Sequence, residues 1–133
     1  MITDEHRKAL IEAACEVRRF AYAPYSKYTV GAAILTDDGH IVTGANVEIA
    51  SYGLTNCAER SAVFTAVSTG VRRILAVAVC TKNAGTPCGA CRQVLSEFVD
   101  NDVPILLSDD QGRVRETTLF TLLPEHFGPG HLV

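Results

Sequence analysis

The sequence predicts a single three-layer α/β sandwich, a mixed sheet covered on its faces by helices, and three observations carry that expectation. Apolar residues recur at spacings of three and four over positions 4–22. Two strand-like runs follow, joined by a tight-turn signal. Beyond them helical stretches alternate with short apolar runs, the pattern of crossover helices between strands of one sheet.

The first helix extends from Asp4 to about Tyr22, with Ala9, Leu10, Ala13, Ala14, Val17 and Phe20 on one stripe and Thr3 or Asp4 as N-cap. Pro24 stops it, because a proline disfavours helical geometry at the residue before it. "YTVGAAIL" and "HIVTGANV" read as strands, and Asp38-Gly39 between them marks a hairpin. "CAERSAVFTAVSTG" reads as a helix closed by Gly70, and "ILAVAVC" as a buried strand. A helix beginning at Pro87 covers "CGACRQVLSEFV", the strand "VPILLS" follows, and "VRETTLFTLL" closes the pattern as a strand or helix.

A chain of 133 residues fits one domain, 1–133. It buries roughly two-thirds of its unfolded surface, enough for a core without disulfide staples. The five cysteines (Cys15, Cys57, Cys80, Cys88, Cys91) therefore need another explanation. No apolar run approaches the length of a membrane span, and "MITDEHRKAL" carries no apolar signal core, so a cytoplasmic protein is expected. In a reducing compartment an odd cysteine count points to metal binding, catalysis or burial. A net charge of -3 removes the bulk attraction to polynucleotides and favours a small-molecule ligand.

The strand-to-helix junctions at Cys57 and Cys88 are expected at the same edge of the sheet, where α/β proteins place ligands. In "TPCGACRQ", Cys88 and Cys91 stand three positions apart in the first turn of a helix, so both sulfurs share a face. The positive end of the helix favours their thiolates. Cys57, at the other junction, supplies a third donor. Three protein donors with one open position is the arrangement of a catalytic zinc, which acidifies water. That proton needs a carrier. Glu59, two residues from Cys57, lies on a different face of its helix and is placed to serve as one rather than as a fourth ligand. Cys15, on the apolar stripe, and Cys80, at a strand end, are expected in the core.

"CAE" followed after the segment 60–86 by "PCGAC" resembles the zinc-dependent deaminase signature. More narrowly, "PYSKYTVGAAI", "NVE", "CAERSA", "PCGACRQV" and "LLPEHFGP" resemble the short-chain cytidine deaminases over nearly the whole chain. The resemblance implies a mixed five-stranded sheet and one Zn²⁺ per subunit at Cys57, Cys88 and Cys91. It also implies hydrolytic deamination of cytidine and deoxycytidine, a step of pyrimidine salvage. Glu59 would pass protons to the ring nitrogen and the departing ammonia, and Arg60 would donate hydrogen bonds to thiolate sulfur and offset the charge of the cluster.

Asn46 and Glu48 share a face at the end of the second hairpin strand, and by resemblance they hold the 3′-hydroxyl of ribose. Tyr28 stands where the family usually has a phenylalanine lining the base pocket, so its hydroxyl needs a partner. Ile49 replaces an asparagine that often follows the glutamate of "NVE". Backbone groups near Ala58 and Thr86 are expected at the base edge. Phe127 matches an aromatic that the family inserts into a neighbouring subunit's site, which implies a homotetramer with shared active sites.

Rival functions fit less well. A thioredoxin-like redox protein would use "CGAC" but has no need of a cysteine–glutamate pair on another helix. A structural zinc module wants a fourth donor, and none stands at suitable spacing. A polynucleotide deaminase would need a basic surface. The nearest alternative is a deaminase of a modified cytosine nucleoside such as blasticidin S.

Overall fold

The computed structural model describes residues 2–132. Helix α1, Asp4–Arg18, is opened by Thr3, whose hydroxyl accepts the His6 N–H while the His6 ring accepts the Thr3 N–H. This reciprocal pairing satisfies two donors at the exposed end of the helix. The helix ends earlier than the periodicity predicts. Its last turn tightens through the Phe20 N–H to Val17 and the Ala21 N–H to Arg18, and Tyr22 then pairs its backbone with Asn46 and Glu48. The bridge wins over the helical stripe, and Phe20 is left exposed beneath the Arg19 guanidinium. Cys15 is also exposed, against expectation. Leu10 and Ala14 define the buried line of α1, and the next residue is turned about 100° away from it. Cys80 lies in the core as expected.

Strands β1 (Gly31–Thr36) and β2 (Ile41–Ala45) form the predicted hairpin, and Gly39 takes the positive φ of 88° that its turn requires. β1 begins three residues later than its apolar run. The side chain of Asn46 occupies the Val30 N–H and the Tyr28 carbonyl, which a longer ladder would have used. Helix α2, Ala58–Ser68, closes at Gly70 (φ 103°) with the Val71 N–H on Ala66 and the Gly70 N–H on Val67. Strand β3 (Ile74–Cys80), helix α3 (Gly89–Ser96) and strand β4 (Pro104–Ser108) form a parallel crossover unit. The closing segment is both strand and helix: β5 is Val114–Thr118 and α4 is Leu119–Leu122.

The sheet order is β2-β1-β3-β4-β5, mixed and five-stranded as the family resemblance implies. β1 is buried on both faces. Ala33 and Leu35 pack with Leu10 and Ala14 of α1, whereas Ala32 and Ile34 pack with Ala62, Val63 and Leu95 of α2 and α3. Gly31 and Gly44 let the helices approach this closely. A Cβ on Gly31 would lie 2.0 Å from the Ala14 carbonyl oxygen, and one on Gly44 would lie 2.5 Å from the Ala62 nitrogen. No helix among the described residues is long and apolar enough to cross a membrane.

The direction of the strands positions the site. β1 is antiparallel to both β2 and β3, so β2 and β3 run the same way, and the helices that follow them start at the same edge of the sheet. Cys57 and Cys88 are the N-cap residues of α2 and α3.

Candidate active site

The two N-cap thiols make no capping hydrogen bond, so their sulfurs are free to face one another across the sheet edge. Cys57 Sγ lies 3.8 Å from Cys88 Sγ, and Cys91 joins them from the first turn of α3, with all three sulfurs within 4.8 Å of one another. Tetrahedral zinc with zinc–sulfur bonds of about 2.3 Å spaces its sulfurs about 3.8 Å apart, so the trio fits that ion. A thiolate set also suits zinc better than the hard cations, which take oxygen.

Arg60, on the first turn of α2, donates from Nη2 to Cys57 Sγ at 3.2 Å and also reaches Cys91. Its Nε is buried without a partner among the described residues. Hydrogen bonding from Cys91 holds the Cys57 thiol down to about 5, with Arg60 and Cys88 adding to the effect against the cost of burial. Cys91 is pushed the other way, by its hydrogen bond to Cys57 and by burial. A guanidinium beside a thiol cluster is the charge arrangement that favours thiolate donors at neutral pH.

Glu59 is 4% exposed and lines the same pocket as Cys57 and Cys88. Burial raises its carboxyl to about 7, and the Cys57 thiolate adds to the rise while its own backbone N–H and Arg60 oppose it. A carboxyl poised there can both accept and release a proton near neutrality.

The pocket holds about 250 Å³ and opens at the edge of the sheet. Asn46, Glu48, Tyr28, Ala58 and Thr86 all line it together with Cys57 and Cys88. Both amide atoms of the buried Asn46 are engaged by backbone, Oδ1 accepting the Val30 N–H at 2.9 Å and Nδ2 donating to the Tyr28 carbonyl at 2.9 Å. Glu48 accepts the N–H groups of Tyr25 and Ser26 at 3.0 and 3.1 Å and the Ser26 hydroxyl. That hydroxyl contributes most to holding the Glu48 carboxyl below its usual range, so the group is a fixed, ionised acceptor. Tyr28 finds the partner its hydroxyl needs in Asn83 Oδ1, at 2.7 Å. Phe127 lies outside this pocket, 57% exposed and stacked on the His131 ring.

Three residues of the site carry no role in the sequence analysis. Ser26 orients Glu48, Asn83 holds Tyr28, and Arg92 binds Thr86 Oγ1, the Pro87 carbonyl and the Leu122 carbonyl. "PYS" contains a signal for the first, a hydroxyl beside a turn. The other two act through contacts that only the folded chain brings together.

Residues 4–107 match the family described as the cytidine and deoxycytidylate deaminase zinc-binding region. The chain is 50% identical to a cytidine deaminase of Halalkalibacterium halodurans, over 91% of this chain and 93% of the relative. It is 51% identical to a cytidine deaminase of Mycobacterium tuberculosis, over 81% of this chain and 79% of that one. The crystal structure of a cytidine deaminase from Burkholderia pseudomallei superposes with a TM-score of 0.86 at 50% identity, covering 90% of this chain and 98% of that structure.

Proposed function

The chain belongs to the cytidine and deoxycytidylate deaminase zinc-binding family, and on that premise we propose how it hydrolyses cytidine and deoxycytidine to uridine, deoxyuridine and ammonia. The carrying observation is a trio of thiols within 4.8 Å of one another beside a carboxyl that is 4% exposed, all at one pocket. Cys57, Cys88 and Cys91 would hold the zinc ion. The chemistry a bound zinc would supply is the acidification of water toward neutral pH.

The remaining work falls to the chain. Glu59 accepts a proton from the attacking water and passes it to the ring nitrogen of the base. A second transfer through the same carboxylate lets the amino group leave from carbon 4 as ammonia. Burial supports this role, since it places the Glu59 carboxyl at about 7 and leaves both of its forms accessible. Arg60 offsets the negative charge of three thiolates through its contact with Cys57 and its reach to Cys91. Asn46 and Glu48 receive the ribose 3′-hydroxyl, Glu48 as the acceptor held by Ser26. Tyr28 lines the base pocket, and backbone groups at Ala58 and Thr86 meet the base edge. The substrate so held is a free nucleoside, and pyrimidine salvage in the cytoplasm is the setting of the reaction.

Ammonia release from cytidine, deoxycytidine, cytosine and blasticidin S, with and without a zinc chelator, tests the reading. The two nucleosides are expected to turn over, the chelator to stop them, and the others to remain unchanged. No turnover of either nucleoside by zinc-loaded protein would defeat it.

The proposal extends to a homotetramer in which Phe127 completes a neighbour's site. Its support is the exposed Phe127 ring, together with the exposed Tyr25–Tyr52 pair, which lines an adjoining hollow that shares Ser26, Glu48 and Thr55 with the pocket. Light scattering is expected to report four chains per particle, and Phe127→Ala to lower activity without removing zinc. A monomeric, fully active protein would remove the shared site.

A further inference from the structure

Arg92 follows Cys91 in α3 and spends its guanidinium on two segments of chain. Nε donates to the Pro87 carbonyl at 2.8 Å and Nη2 to Thr86 Oγ1 at 2.9 Å, both in the loop immediately before Cys88. Nη1 donates to the Leu122 carbonyl at 2.7 Å, at the end of α4. The next residue repeats the tie, since Gln93 Nε2 donates to the Phe127 carbonyl at 2.8 Å. The planar, always-charged fork of arginine can hold three acceptors in fixed relation, which a lysine ammonium cannot reproduce.

The loop needs such a brace. Its first part is fixed by the Tyr28 hydroxyl on Asn83, by the Thr81 hydroxyl on the same oxygen at 3.3 Å, and by the Gly85 N–H on Thr81 Oγ1 at 2.9 Å. Ala84 already sits at φ 56°, in the left-handed region. Beyond Gly85 the chain runs to Cys88 along the pocket wall, and Arg92 is the side chain that grips Thr86 and Pro87 there. Misplacing such a wall by about 1 Å can cost on the order of 10²-fold in rate.

The geometry points to Arg92 as a positioning residue, one that sets the Thr86–Cys88 wall in register with the thiolate cluster so that the base edge meets both together. Arg92 is neither among the residues that line the pocket nor a member of the thiol trio. This inference rests on the deaminase reading and assigns the alignment of its base-binding wall.

Arg92→Lys and Arg92→Ala test it beside the parent enzyme, with zinc per chain, thermal midpoint, kcat and KM for cytidine measured on each. Arg92→Lys is expected to fold and keep its zinc while KM rises at least about tenfold, the factor that corresponds to one charge-assisted hydrogen bond, with kcat falling less. Added guanidinium ion is expected to restore part of the activity of Arg92→Ala and to leave the parent unaffected. If Arg92→Ala does not fold, Arg92→Lys decides the matter alone. An unchanged KM in Arg92→Lys overturns the inference, as does a loss of activity that tracks zinc content while the loaded fraction keeps the parent's KM. Either result with an active parent leaves the deaminase reading intact. A parent that releases no ammonia from cytidine removes both.

Discussion

Glu59→Gln is expected to lose at least about 10²-fold in kcat, with zinc content and fold retained. The lower bound is the usual contribution of one general acid or base, about 10² to 10⁴-fold, and here the same carboxylate serves more than one proton transfer. The glutamine amide has nearly the same shape, so the helix and pocket lose no volume. It cannot take up a proton and hand it on. Glu59 is 4% exposed, and near its raised pKa of about 7 its carboxyl is protonated part of the time. An amide therefore adds little desolvation cost at that position, and a fall in kcat reports the missing proton carrier. Steady-state ammonia release with metal analysis on the same sample measures it. Unchanged turnover in a zinc-loaded variant would sink the assignment.

The parts of this site that sequence made legible are those in which chemistry restricts residue type. A metal ion accepts few donors, and the first turn of a helix spaces them, so "CAE" and "PCGAC" mark the trio and its carboxyl neighbour from residue type and spacing alone. The strand directions then followed from the crossover pattern, and with them the shared edge on which Cys57 and Cys88 meet. What stayed hidden works through contacts that only the folded chain makes, side chain to side chain between Asn83 and Tyr28 and largely through backbone for Arg92. Arg92 recognises two carbonyls, of Pro87 and Leu122, and a carbonyl leaves no trace in residue identity. Asn46 was legible as a pocket residue, yet its two bonds to Val30 and Tyr28 make it also the peg that delays the start of β1.

Periodicity misled where a competing bond was stronger. The stripe through Val17 and Phe20 continues a helix on paper, whereas the backbone pairing of Tyr22 with Asn46 and Glu48 draws the chain away after Arg18. The same stripe puts Cys15 in the core on paper, because it is too coarse to separate Ala14 from its neighbour around the helix. A residue's face is settled by which line of the helix meets the sheet, and here the close approach at Gly31 centres that line on Ala14.

Cys91→Ala is expected to abolish stable zinc binding and reduce turnover to background while the chain stays folded. Cys91 is the buried member of the trio, in the first turn of α3, and the other two sulfurs alone offer zinc two protein donors where a catalytic site uses three. The cavity left by one sulfur is small, so the direct packing loss is modest. The larger effect on stability is the loss of a ligand that binds only the folded chain, worth about 2.7 kcal/mol when free ion stands at a hundredfold excess over its Kd. The thermal midpoint of the parent should therefore fall toward that of Cys91→Ala when zinc is stripped, and the variant should respond little to added zinc. Arg60→Ala belongs between them. It keeps three donors and loses the guanidinium that meets Cys57 at 3.2 Å, so it should surrender zinc to a lower concentration of competing chelator than the parent does. Cys80→Ala, which removes a buried thiol outside the trio, should retain zinc throughout. Metal analysis after dialysis ranks the four proteins, and a Cys91→Ala variant that kept one zinc per chain and its activity would remove Cys91 from the metal site.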